Sequence, residues 1–184
     1  MKNNKIIVID LEASCWNGKI PPGQVNEIIE IGICVLDIET GEIFKNDGIL
    51  VKPERSTVSS FCTELTTITQ KMLDEKGISF QEACTRLRKE YKSKQHIWAS
   101  YGQYDLNMFQ KQCKFKGVEY PLSQEHVNVK DFFSEIKGLT KKVGMKGALD
   151  ILNIGLEGTH HRGIDDPKNI AKILYWCLTN KKEN

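Results

Sequence analysis

The amino-acid sequence predicts an α/β fold in which a mixed five-stranded sheet carries helices on both faces. Three runs rich in β-branched residues follow one another near the N-terminus, with only short turns between them. After Pro53, segments with helical periodicity alternate with further short apolar runs. The length of 184 residues suits one domain, which we expect to span residues 1–184.

The three N-terminal strands are predicted at Lys5–Leu11, Ile28–Ile38 and Ile43–Val51. The first is a short apolar run, and the second is dense in isoleucine and valine, which favour strands. The Thr40-Gly41 pair between the second and third runs is a turn signal. Because short connections join neighbouring strands, we expect these three to pair in an antiparallel arrangement.

The later elements are predicted from periodicity and from capping residues. Ser79, followed three positions later by Glu82, is a capping-box signature that opens a helix reaching about Lys92. Pro167 suits the first turn of a last helix at Asp166–Thr179. We also predict helices at Ser60–Thr67, Ile68–Lys76, Asp105–Lys114 and Lys146–Leu152, a strand at His96–Ser100, and a strand or a helix at Val127–Phe133.

Composition excludes several classes of protein. With 26 Lys and Arg against 24 Asp and Glu, the net charge of +2 excludes a strongly basic nucleic-acid coat protein. The six cysteines form no CxxC pair and match no zinc-ribbon spacing. The first apolar run is interrupted by Asp10, and no stretch approaches the roughly 20 apolar residues of a membrane helix. We therefore expect a cytoplasmic protein with reduced thiols and no membrane partner.

Two acids, Asp10 and Glu12, follow the apolar run Ile6–Ile9 and flank Leu11. Residues i and i+2 of a strand point to the same face, so both carboxylates would lie side by side. A divalent cation removes their repulsion and accepts hard oxygen ligands. The spacing therefore suits a metal site at the end of the first strand. Taken alone, however, the pair favours a solvated strand end, because acids are usually exposed.

A further acid and a histidine-rich loop lie elsewhere in the chain. Asp105 follows the predicted strand His96–Ser100 and opens a helix, a position where Asp is also favoured as a helix-terminal residue. His160–Asp166 (HHRGIDD) contains two of the four histidines, an arginine and two acids. A histidine with a near-neutral pKa can accept a proton from water. Taken separately, each cluster is also explained by helix capping or by a solvated surface.

Together and in this order, the clusters resemble the motifs of the DEDDh exonuclease superfamily. Asp10-Leu11-Glu12 resembles its first motif, Tyr101–Asp105 its second, and His161-x4-Asp166 its third. No tyrosine stands at position 161 or 162, which distinguishes the chain from the tyrosine variant of the superfamily. Longer segments are similar to the branch that holds the histone-mRNA exonucleases and KapD-like proteins: IDLEASCW at 9–16, NEIIEIG at 26–32, VSSFC at 58–62, ELTTITQ at 64–70 and HHRGIDDPKNIAKI at 160–173.

The resemblance runs from about Lys5 to Leu178 and implies a ribonuclease-H-like sheet. It also implies a 3′-5′ exonuclease that acts on the 3′ ends of single-stranded RNA or DNA and releases nucleoside 5′-monophosphates. Two divalent cations, Mg²⁺ or Mn²⁺, would be held by four carboxylates, and His161 would be the general base. The carboxylates implied as metal ligands and catalytic residues are those of Asp10, Glu12, Asp105 and Asp166.

The resemblance further implies where the terminal nucleotide is held. The substrate-binding residues that it implies are Ala13, Phe61, Cys62, Leu65 and Thr66. One departure stands beside them, because the family usually has Leu-Thr-Gly-Ile where this chain has Leu-Thr-Thr-Ile, so that Thr67 replaces a glycine.

Other functions remain open at this stage. An oligoribonuclease-like or DNA-proofreading activity would share the same metal site. A KapD-like regulator could keep the fold without catalysis, although an intact set of acids beside His161 argues against it. A metal-dependent phosphatase has no separate signature in the chain, and no motif identifies a protein partner.

Overall fold

This computed structural model describes residues 4–181. Within that range, five strands form one mixed sheet. The strands are β1 (Lys5–Ala13), β2 (Ile28–Asp37), β3 (Ile43–Leu50), β4 (Trp98–Ser100) and β5 (His126–Asn128). Their order in the sheet is β3-β2-β1-β4-β5. β1, β2 and β3 pair antiparallel, whereas β4 pairs parallel to both β1 and β5. The predicted mixed five-stranded sheet is therefore confirmed, with β1 at its centre.

Seven α-helices cover the sheet: α1 (Ser60–Thr66), α2 (Gln70–Lys76), α3 (Phe80–Glu90), α4 (Tyr104–Lys116), α5 (Val129–Lys137), α6 (Met145–Leu152) and α7 (Asp166–Asn180). The capping box at Ser79 and Glu82 is present, and Pro167 lies in the first turn of α7. Within the described part of the chain, no helix is both long and apolar enough to cross a membrane.

The segment Val127–Phe133, predicted as a strand or a helix, divides between the two. Only His126–Asn128 pairs as β5, and helix α5 begins at the next residue. The reason is local, because the Asn128 side chain accepts a hydrogen bond from the backbone N–H of Asp131 and so caps the helix. Val129 and Phe133, one helical turn apart, are both fully buried.

Alternation along β1 sorts its side chains into two hydrophobic layers. Ile7, Ile9 and Leu11 pack in the layer beneath α3 and α4. Ile6 and Val8 pack in the opposite layer, beneath α5, α6 and α7. Asp10 and Glu12 continue the second series, so the period of the strand places both acids on the side of α7.

The loop before α7 lies directly on the backbone of β2. A Cβ atom added to Gly32 would stand 1.6 Å from the carbonyl oxygen of Gly163, and one added to Gly163 would stand 2.9 Å from the backbone nitrogen of Gly32. Gly32 is also the partner of Asp10 in the β1–β2 ladder. The absence of side chains at both glycines therefore lets the loop approach the strand beside Asp10.

Replacing Gly32 with alanine tests this contact. The new methyl group would overlap backbone rather than a flexible side chain, and overpacking typically costs about 1–3 kcal/mol. We expect Gly32→Ala to lower the free energy of unfolding in urea by at least that amount. The matched control is Gly155→Ala, whose Cβ would meet nothing within 4 Å. A loss of stability that is equal in the two variants would contradict the contact.

Candidate active site

A cleft of about 390 Å³ opens where β1 ends. Its walls come from the end of β1, the first turn of α4, the N-terminus of α6 and the loop that leads into α7. All five side chains expected to be catalytic line it: Asp10, Glu12, Asp105, His161 and Asp166. The structure therefore brings together residues that lie up to 156 positions apart in the chain.

Three of the four carboxylates form a close group. Asp10, Glu12 and Asp166 each offer an oxygen within 4.8 Å of the other two. Glu12 and Asp166 are buried, and Asp10 is partly exposed to the cleft. Hard oxygen atoms from acidic side chains at this spacing suit a divalent cation such as Mg²⁺, which typically takes one or two carboxylates together with waters and phosphate oxygens.

The surrounding residues compensate the charges in this group only in part, because Arg162 lowers the pKa of Glu12 and the two histidines lower that of Asp166. Burial raises the pKa of Asp10 well above its usual value, and Asp105, Glu12 and Asp166 raise it further by repulsion. Burial, followed by repulsion from Asp166, raises the pKa of Glu12 to about 8. A bound cation would favour the charged form of both groups and so reverse these shifts.

Asp105 lies in the first turn of α4, and its carboxylate is also held to the central strand. Its Oδ1 accepts a hydrogen bond of 3.0 Å from the backbone N–H of Leu11. The N-cap position of α4 is Gln103, which makes no capping bond, so capping does not explain Asp105. Burial raises the pKa of Asp105 to about 6, and hydrogen bonds from Leu11 and from the Ser100 hydroxyl oppose that rise. Asp105 thus lines the same cleft and repels Asp10 more strongly than Glu12 or Asp166 does.

The histidine pair is positioned by Asp166. The backbone N–H of His161 donates to Asp166 Oδ2 at 2.8 Å, and Nδ1 of His160 lies 3.2 Å from the same oxygen. The two imidazole rings stack with centroids 3.9 Å apart. Burial lowers the pKa of His161, and His160 lowers it further against an opposing effect of Asp166. A lowered pKa keeps the ring neutral near pH 7, which is the form that accepts a proton.

A fifth acid, Glu30, supports the histidine loop from β2. Its carboxylate is only 1% exposed and accepts a 2.8 Å hydrogen bond from the backbone N–H of Gly163. The guanidinium of Arg162 lies 3.4 Å from the same oxygen. Glu30 is the ladder partner of Glu12 and adds to the repulsion on Asp10 and Glu12. Sequence analysis missed Glu30, although a glutamate within an otherwise apolar strand was a visible signal.

The residues expected to bind substrate are divided by the structure. Ala13 and Leu65 line the cleft, and Phe61 is 36% exposed on the same helix as Leu65. The Cys62 and Thr66 side chains are fully buried. Cys62 lies 3.6 Å from the carbonyl oxygen of Ala13, and the Thr66 hydroxyl donates to the carbonyl of Cys62. The Cys62 side chain packs with Ile29, Ile68 and Leu73, whereas the Thr66 hydroxyl is used within the end of α1. Neither residue lines the cleft, and their contact with substrate stays a prediction.

Thr67 keeps the backbone geometry that its glycine counterpart would have. It is the C-cap of α1 with φ of 62°, in the left-handed region that favours glycine. Its hydroxyl also accepts a 2.9 Å hydrogen bond from Arg162, which links α1 to the loop that carries His161. The replacement therefore leaves the turn in place and adds a contact beside the cleft.

A model of the family described as Exonuclease (RNase T) matches residues 7–174. The chain belongs to this exonuclease family. Human 3'-5' exoribonuclease 1 is 32% identical over 186 residues, covering 94% of this chain and 52% of the human protein. Human ERI1 exoribonuclease 3 is 33% identical over 181 residues, covering 91% of this chain and 52% of that protein. The chain thus spans about half the length of the curated relatives it matches.

Solved structures agree with this membership. The nuclease domain of 3'hExo, described as a DEDDh family member bound to rAMP, superposes with a TM-score of 0.84 at 29% identity, covering 96% of this chain and 92% of that one. A 3'-exonuclease structure described for 3'-end recognition of the histone mRNA stem-loop gives the same TM-score at 28% identity, covering 96% and 82% of the two chains. The DEDDh resemblance and the ribonuclease-H-like architecture are confirmed, and the family implies divalent metal ions.

The repulsion among the acids predicts how stability depends on pH without metal. The folded pKa of Glu12 is raised from 4.5 to about 8, so its stabilising contribution is present below pH 4.5 and is lost as the pH rises towards 8. In chelator, the melting temperature should therefore fall over this range. At pH 8, Glu12→Gln should raise the melting temperature by at least about 2 °C. The control is Glu135→Gln, which changes an exposed glutamate and should leave the melting temperature unchanged. A flat profile for the parent protein would contradict the repulsion.

The support from Glu30 predicts a different effect. Glu30→Ala leaves the buried N–H of Gly163 without its acceptor, which costs about 1–3 kcal/mol. Glu30→Gln keeps an acceptor oxygen of similar reach, so we expect it to recover most of that loss in urea unfolding. Equal destabilisation in the two variants would show that the hydrogen bond to Gly163 is not what Glu30 contributes.

Proposed function

We propose that residues 1–184 form a single metal-dependent 3′-5′ exonuclease domain that removes nucleotides from single-stranded RNA or DNA 3′ ends, with RNA favoured, and releases nucleoside 5′-monophosphates. The observation that carries the proposal is the group of Asp10, Glu12 and Asp166 oxygens within 4.8 Å of one another, in the same cleft as His161. Family membership supports the reaction class, and the preference for RNA is supported by relatives named as exoribonucleases.

The acids of the cleft are proposed to hold two divalent cations, Mg²⁺ or Mn²⁺. Three of the ligands would come from the close group, and Asp105, which lines the same cleft, would be the fourth. When bound, the cations would lower the pKa of a water and offset the charge on the reacting phosphodiester. The raised pKa values of Asp10 and Glu12 support this assignment, since buried carboxylates without a cation are costly to ionise.

His161 is the proposed general base. Its ring is neutral at pH 7, and its backbone N–H is held by Asp166, so the imidazole is available beside the carboxylates to take a proton from water.

Ala13 and Leu65 would contact the terminal nucleotide inside the cleft. Phe61 would stack on its base, a contact worth roughly 1–3 kcal/mol. The six cysteines, all free, support a reducing compartment, and we place the protein in the cytoplasm.

Removal of His161 tests the proposed base. On a 5′-labelled single-stranded RNA with Mg²⁺ or Mn²⁺, we expect shortening from the 3′ end that EDTA abolishes. His161→Ala should slow it by about 10²–10⁴-fold. The parent rate should fall only below pH 6.5, since the pKa of His161 is lowered from that value and its protonated form cannot accept a proton.

His96→Gln is the matched control, because His96 does not line the cleft and its removal should leave the rate unchanged. A His161→Ala enzyme of undiminished activity would refute the base. An RNA and a DNA strand left intact with either metal would instead favour a regulator that keeps the fold without catalysis.

A further inference from the structure

Two hollows extend the catalytic cleft along helix α4. Tyr104 lines the cleft and also a second hollow of about 260 Å³, which continues to Met108 and Lys111. Met108 and Lys111 in turn line a third hollow of about 520 Å³ that ends at Phe115. Each hollow thus shares residues with the next, and together they form a groove that leads from the carboxylates along one side of the helix. We call it the α4 groove.

The spacing of the groove residues suits an extended ligand. Tyr104, Lys111 and Phe115 are separated by seven and four positions, which places them on one face of the helix. The eleven positions from Tyr104 to Phe115 span about 16 Å at 1.5 Å per residue. That length corresponds to at most about five nucleotides, given about 3.4 Å per nucleotide in a stacked strand.

Aromatic rings are exposed at both ends of the groove. Tyr104 is 57% and Phe115 59% exposed, whereas Phe109 of the same helix is fully buried in the core. The Arg55 guanidinium lies 5.3 Å from the centroid of the Phe115 ring, and the Lys116 ammonium lies 6.0 Å from it. Proteins that bind single strands without sequence preference stack the bases on exposed aromatic rings beside positive charges. Phe115 with its neighbouring cations has these properties.

The charge of the groove is also available to a ligand. Lys111 and Lys114 are exposed and form no ion pair with any residue in the range 4–181. Lys116 differs, because it bridges Glu27 at 3.1 Å and Glu54 at 2.8 Å. Two unpaired cations therefore flank an apolar groove that begins at an acidic, metal-binding cleft.

We infer that the α4 groove holds the part of a single-stranded nucleic acid that lies upstream of the nucleotide being removed, with Phe115 stacking on a base and Lys111 and Lys114 contacting phosphates. The inference rests on the proposed function. Continuity with the cleft favours this occupant over a protein partner, since a strand whose 3′ end enters the cleft must leave it by an open path. The unpaired lysines are complementary to its phosphates.

The test compares oligonucleotide lengths. Kinetics are measured on 5′-labelled RNAs of 3 and 12 nucleotides. The parent is compared with Phe115→Ala and with the double variant Lys111→Ala/Lys114→Ala. The control is Lys76→Ala/Lys89→Ala, which removes two exposed lysines from α2 and α3. We expect Phe115→Ala to raise the KM of the 12-mer at least about fivefold, with the 3-mer KM and both kcat values unchanged. The control variant Lys76→Ala/Lys89→Ala should leave KM and kcat unchanged for both RNAs.

Salt dependence provides a readout that packing defects would not move. The Lys111→Ala/Lys114→Ala variant would lose two phosphate contacts, each worth roughly 0.7 in the salt dependence of single-strand binding. For the 12-mer, we therefore expect its slope of log KM against log salt to be lower than that of the parent by about 1.4. The inference would be overturned if the lysine variant kept the slope of the parent and Phe115→Ala changed the KM of both RNAs equally. The α4 groove would then be better explained as a surface for a protein partner. Failure of the proposed function is distinguishable, because the parent would then shorten neither RNA.

Discussion

The structure is organised around the cost of bringing several carboxylates together at the buried end of one strand. Asp10 and Glu12 lie on the same face of β1, and Asp166 approaches them from α7. Their repulsion and burial oppose folding in the absence of a cation, so other contacts must hold them in place. A bound dication would relieve this repulsion, which is why the group is a candidate metal site.

Two kinds of contact supply this rigidity. β1 is the central strand, paired with β4 at Ile7 and Val8 and with β2 along its whole length. Asp10 and Glu12 are therefore held through the β2 ladder on a strand that is fixed from both sides further along. The other acids are attached through backbone hydrogen bonds, from Leu11 to Asp105 and from His161 to Asp166. Each bond uses a charged acceptor, which makes it stronger than a bond between neutral groups. The same carboxylates thus serve as structural acceptors and as candidate metal ligands.

The loop before α7 is supported by β2 rather than by its own sequence. Glu30 accepts the N–H of Gly163, and the contact between Gly32 and Gly163 leaves no room for a side chain. Arg162 extends from this loop to Thr67 at the end of α1. The loop therefore joins the carboxylate side of the cleft to the helix that carries Leu65, and the two halves of the site are coupled through a few polar contacts.

Apart from the division of Val127–Phe133 between β5 and α5, the order of strands and helices followed from the amino-acid sequence. So did the capping box at Ser79 and the shared face of Asp10 and Glu12, because each depends on local periodicity or on residues a few positions apart. The resemblance to DEDDh exonucleases added the distant members of the site. Tertiary structure decided that Asp105 turns to β1 instead of capping α4, and that the Cys62 and Thr66 side chains are buried.

The role of Glu30 and the existence of the α4 groove also followed only from the folded chain. The hydrogen bonds that define the roles of Asp105 and Glu30 join residues 94 and 133 positions apart. Periodicity indicates which face a side chain occupies, but it carries no information on which distant backbone group that face will meet. Those pairings arise only when the sheet and both helical layers pack together.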